Sequence, residues 1–124
     1  MGTTMNLDIQ TRCVDEHLAV VAFSGEIDVY TSPQAKEVLL DLLERGYYHL
    51  VVDLQHVAYL DSTALGLLIG AFKRARERGG DLRLVAPPPK VQRLLEVTYL
   101  VNVFPIDANE QDAIANLTQK GTES

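Results

Sequence analysis

The chain has 124 residues, 47% of them hydrophobic and 23% charged, with a formal net charge of -6. This length predicts a single domain over residues 1–124 with a core over about 6–118, large enough to stand without a metal or a disulfide. The acidic balance opposes direct nucleic-acid binding, and 6% aromatics with no tryptophan leaves no stacking platform for single strands.

Residues 1–5 are expected to form a frayed start. From Asn6 the sequence alternates, with Leu7, Ile9, Thr11 and Cys13 on one side, which predicts a half-buried strand. Cys13 is the single cysteine, so an internal disulfide is excluded, and its place in the alternation predicts a packed thiol. After a polar turn at 14–17, residues 18–24 are β-rich and almost wholly apolar, an interior strand paired to the first as a hairpin. Residues 25–30 are expected to leave the sheet as a loop.

Thr31-Ser32-Pro33-Gln34 announces a helix: either hydroxyl can cap, and with Thr31 as the cap Gln34 takes the capping-box position. Ala35, Val38, Leu39, Leu42 and Leu43 mark its buried side, and Arg45-Gly46 ends it. Residues 48–54 read as a parallel strand covered on both faces, and 55–60 as a bridge. A second helix is predicted over 62–78. Its apolar arc is unusually wide, so either it is sandwiched or its first turns show apolar surface to a partner. Its basic end, Lys73-Arg74-Ala75-Arg76-Glu77-Arg78, reads as solvated cations favouring the macrodipole.

A strand over 81–86, a rigid Pro87-Pro88-Pro89 connection and a shorter helix from Lys90 follow. Residues 101–106 suggest an edge strand, and Asn109 caps a last helix with Ala113, Ile114 and Leu117 facing in. The tail from Gln119 reads as loose. Alternation after the initial antiparallel hairpin predicts an α/β fold: a single mixed sheet built by right-handed βαβ crossovers, with about four helices. No secretory or membrane-length apolar run is visible, so a cytoplasmic location and no membrane partner are expected. His17, His49 and His56 border strands or loops without ligand spacing, so no metal is expected.

In such sheets, functional residues gather beyond the carboxyl ends of the parallel strands. Two segments should meet there: the loop of Asp28 and the turn of Asp61-Ser62-Thr63. Local pattern alone makes Asp61 a helix N-cap and Ser62 and Thr63 first-turn filler. A nucleophilic Ser62 lacks an evident base and a Gly-x-Ser-x-Gly elbow. Paired carboxylates for glycoside cleavage lack a sugar cleft, and no glycine-rich lysine loop supports nucleotide hydrolysis. The chain thus reads as a ligand or substrate of other proteins rather than an enzyme.

The stretches 24–33 (Ser-Gly-Glu-Ile-Asp-Val-Tyr-Thr-Ser-Pro), 50–54 (Leu-Val-Val-Asp-Leu), 59–66 (Tyr-Leu-Asp-Ser-Thr-Ala-Leu-Gly) and 79–85 (Gly-Gly-Asp-Leu-Arg-Leu-Val) carry a resemblance. Through them the chain resembles the bacterial STAS-domain anti-sigma factor antagonists, over about residues 7–117. The resemblance implies a STAS-like fold and an antagonist that, when unphosphorylated, binds an anti-sigma factor and frees the sigma factor. That partner, also a serine kinase, would phosphorylate Ser62 and so prevent binding, and a serine phosphatase would restore it. No cofactor is expected in this chain, since ATP and magnesium belong to the kinase. Asp28 and Asp61 would be the aspartates near the acceptor, with Thr63, Ala64 and Leu65 beside them on the partner-facing turn. Members commonly carry glycine where this chain has Ala64; the added methyl bears on partner selectivity rather than on the switch itself. The alternative implied by the same resemblance is a STAS interaction module that is never phosphorylated, serving a transporter or sensory complex. A small hydrolase using Ser62 is a third reading.

Overall fold

A computed structural model describes residues 7–122; the frayed start expected at 1–5 lies outside them. Five strands form one sheet in the order β1-β2-β3-β4-β5. They are β1 Leu7–Cys13, β2 Leu18–Ile27, β3 His49–Leu60, β4 Asp81–Val85 and β5 Ile106–Asp107. β1 is antiparallel to β2, and every later neighbour is parallel. The helices are α1 Ser32–Glu44, α2 Ser62–Glu77, α3 Pro89–Val97 and α4 Glu110–Thr122, so the hairpin-plus-crossover architecture is the one the sequence predicts.

Side chains alternate across a strand, and here the alternation sorts them between two helical layers. Val21 and Phe23 of β2, Leu50, Val52 and Leu54 of β3 and Leu84 of β4 join the core under α1, α2 and α3. Leu18, Val20, Val51 and Val85 meet Ala113 and Leu117 of α4 on the other side. Arg83 of β4 clamps Asp107 of β5 with two hydrogen bonds of 2.6 and 3.2 Å, and Asn116 of α4 donates to the same carboxylate at 2.7 Å.

Several local expectations are corrected. β2 runs on through Gly25 to Ile27, and β3 through the expected bridge to Leu60. Parallel pairing to Ile27↔Leu60 holds both extensions, with irregularities between Ala22 and Ser24 and between Gly25 and Glu26, where Gly25 takes φ +115. Strand pairing over many residues overrides the polar, turn-like composition of each segment. Cys13 is exposed, not packed, because it ends an edge strand of which Leu7 alone is fully covered. The 101–106 strand is replaced by a short 3-10 turn over Leu100–Asn102 and a two-residue β5; Phe104 turns into the core, and Pro105 offers no donor. The tail expected to be loose from Gln119 is helical to Thr122.

Candidate functional site

β3 pairs with β4 only as far as Asp53↔Val85, yet continues beside β2 to Leu60. The two longest strands therefore end together and deliver their following segments to one edge. The Asp61 amide donates to the Ile27 carbonyl at 3.2 Å, pinning the start of α2 to the start of the Asp28 loop. The sequence expected these two loops to meet, and the backbone joins them.

Asp61 is extended (φ -109, ψ -174) and its Oδ1 accepts from the Ala64 amide at 3.1 Å. It caps the helix, satisfying one amide that would otherwise be unpaired. Its carbonyl accepts from the Leu65 amide at 3.0 Å. Ser62 and Thr63, the first two helical residues, are exposed, and neither hydroxyl makes a hydrogen bond among the described residues. Their hydroxyls stand beside a helix N-terminus whose amides and dipole favour negative charge.

Asp28 is committed to its own loop. Its Oδ1 accepts from the Tyr30 and Thr31 amides at 2.9 and 3.0 Å. The Thr31 hydroxyl accepts from the Asp28 amide at 2.9 Å and donates to the Glu26 carbonyl at 2.8 Å. The Thr31 amide bond, helped by the Tyr30 amide and the Thr31 hydroxyl, holds the Asp28 carboxyl below its ordinary value against the opposing effect of desolvation. This use of Thr31 corrects the capping-box expectation: Thr31 stands at the N-cap of α1 but its side chain makes no cap bond. The hydroxyl serves the Asp28 turn instead.

Ala64 and Leu65 do not present a partner-facing surface. They are 0% and 6% exposed and belong to the core. The wide apolar arc of α2 is explained by burial of its first turn, which corrects the expectation that they add contact area there. The exposed large apolar side chains at this edge are Val29, Tyr30 and Tyr59, the last two 87% and 52% exposed. Loop and bridge segments carry no periodicity from which the exposure of Val29, Tyr30 and Tyr59 could be read. At this end of β3 the buried residues Leu54, Val57 and Leu60 recur every third position, so Tyr59 breaks the two-residue alternation of an ordinary strand.

Among the described residues no group of three or more His, Cys, Asp or Glu could hold a metal ion, and no helix is long and apolar enough to cross a membrane.

Fold and site together define an α/β domain with a mixed five-stranded sheet and a capped helix start whose two hydroxyls are exposed. The STAS domain family profile matches residues 8–113, and the chain belongs to the STAS domain family. It is 35% identical over 103 residues to the anti-sigma-B factor antagonist of Staphylococcus aureus (strain NCTC 8325 / PS 47), covering 83% of this chain and 94% of that protein. It is 34% identical over 110 residues to the anti-sigma-B factor antagonist of Bacillus subtilis (strain 168), covering 89% and 99%. The structure of an anti-sigma factor antagonist from Mycobacterium paratuberculosis superposes with a TM-score of 0.82 at 27% identity, covering 90% of this chain and 94% of that one.

Proposed function

We propose that this chain is a cytoplasmic anti-sigma factor antagonist switched by phosphorylation of Ser62. The observation that carries the reading is the state of that helix start. Asp61 and Asp28 are both occupied by backbone amides, whereas the Ser62 hydroxyl is exposed and free of hydrogen bonds among the described residues. The name shared by the relatives, anti-sigma-B factor antagonist, supports an anti-sigma factor as the partner class; in this reading the unphosphorylated form binds it. The kinase activity, with its ATP and magnesium, belongs to that partner, and a serine phosphatase resets the switch. This chain is their substrate and ligand, not an enzyme.

The physics suits a change of surface without a change of fold. A phosphoserine brings about -1.5 to -2 charges. The free amides and dipole of α2 accommodate it, so the helix survives. The two nearby aspartates oppose the added charge, so the phosphate faces outward. A partner that must desolvate this turn, or that brings a carboxylate to it, is repelled. A coupling of about 1–3 kcal/mol changes affinity roughly five- to 150-fold.

Intact-mass measurement after incubation with the cognate kinase, ATP and magnesium tests the site. One added phosphate, lost in Ser62→Ala, is expected; transfer to Thr63, or none from a kinase that binds the protein, overturns the assignment. Ser62→Asp should weaken the anti-sigma complex at unchanged thermal stability. Equal calorimetric affinity for both forms would instead favour a STAS module that is never phosphorylated.

A further inference from the structure

Helices α1 and α2 leave a groove of about 610 Å3 between them. Lys36 and Leu40 line it one turn apart on α1, and Gly66, Gly70 and Arg74 line it one turn apart on α2. A Cβ at Gly66 or Gly70 would meet nothing within 4 Å, so the groove opens over the bare backbone of α2. Glycine inside a helix is less favourable than alanine, and no neighbour in the chain takes up the space. The fold by itself gives no reason for two of them. Lys36 and Arg74 are exposed, and neither forms an ion pair among the described residues. On a chain of net charge -6, two unpaired cations flanking an apolar groove mark a local reversal of sign.

The groove runs to the turn that carries the switch, where Thr63, next to Ser62, lines it. Ser62, Gly66, Gly70 and Arg74 follow at steps of four, a single row on the helix surface. From Ser62 to Arg74 the row runs roughly 18 Å, a little over three helical turns. A segment lying along it reaches the Ser62 hydroxyl at its end.

We propose that this groove seats an acidic amphipathic helix of the anti-sigma factor, its apolar face over Gly66 and Gly70 and its carboxylates against Lys36 and Arg74. The proposal rests on the function assigned above and names the chemistry of the partner's contact. A helix is favoured because small residues let two helix backbones approach closely, and because a groove between helices offers no unpaired strand edge. Phosphate at Ser62 would then stand at the end of an acidic segment and repel it.

The test uses the full chain with the purified anti-sigma factors of the same genome. Zero-length carbodiimide coupling, which joins an amine to a carboxylate in direct contact, should link Lys36 to an Asp or Glu in a helix of the partner. Coupling through Lys73, Lys90 or Lys120 but not Lys36 overturns the proposal. In calorimetry, Gly70→Leu and the double variant Lys36→Glu/Arg74→Glu should each weaken binding tenfold or more without lowering the melting temperature. Unaltered affinity in both also overturns it. The two readings separate cleanly: if Ser62→Asp weakens the complex and the groove variants do not, the groove proposal fails and the switch stands. If the wild-type chain binds no anti-sigma factor, the function fails and the groove proposal falls with it.

Discussion

At the scale of single residues, Asp28 and Asp61, the aspartates near Ser62, are alike in type and different in work. Asp61 lends one oxygen to the first turn of α2, and Asp28 organises a whole loop. The Asp28 pKa is lowered by its amide and hydroxyl donors, so the folded state holds the proton less tightly than the unfolded chain. Its stabilising effect is complete above the ordinary value of 3.8 and is lost as pH falls through the lower folded value. The Tyr30 and Thr31 amide resonances should therefore titrate together with a midpoint below 3.8, and Asp28→Asn should remove that titration. Ala64 makes a second case. Its methyl is fully buried, so Ala64→Gly should cost about 1–2 kcal/mol in urea denaturation through lost burial and helix propensity. The same variant should leave partner affinity unchanged, because the residue presents no surface. The identity of the exposed hydroxyls was legible from their sequence position; the inward aim of Ala64 and Leu65 was not, because a helix with apolar residues around a wide arc does not declare which side meets the sheet.

At the scale of elements, the longest corrections fall on β2, β3 and β5. Short polar stretches such as Gln55-His56 are held in a strand by the ladder to β2, a contact between segments some thirty residues apart. Helix ends were easier, since Asp61, Gly46 and Asn109 act on their own local backbone. The seat of α4 adds a titrating contact that no local pattern reveals. A hydrogen bond to Asp53 and then desolvation raise the Glu110 pKa above 4.5, while Arg12, 3.0 Å away, pulls it back. A raised carboxyl stabilises the fold fully below its unfolded pKa and loses that contribution as pH rises through the folded value. Glu110→Gln keeps a donor for Asp53 at every pH. Its stability relative to wild type should therefore increase as pH rises from 4.5 to neutrality, by less than about 1 kcal/mol given solvent screening, as read by thermal unfolding across that range.

At the scale of the whole molecule, one buried ion pair fastens the far edge of the sheet to α4. The Arg83 and Asp107 side chains are 16% and 6% exposed, and Asn116 completes the carboxylate's partners. Arg83→Ala leaves the buried carboxylate without its counter-charge and should cost about 3–5 kcal/mol, measured as a drop in the urea midpoint. The scaffold thus carries its polar fastening away from the edge that presents Ser62. By itself the sequence determined the order of elements, the antiparallel start, the parallel remainder and the helix that begins at Ser62. Those features follow from hydrophobic period and from caps and turns, which act within a few residues. Only the tertiary structure decided that Asp28 is spent on its own loop, that Ala64 and Leu65 face the core, that Tyr30 and Tyr59 stand exposed at the edge that carries Ser62, and that α1 and α2 leave a groove over two glycines. Each of these depends on which segments lie side by side, and that is settled by pairing and packing between residues far apart in the chain.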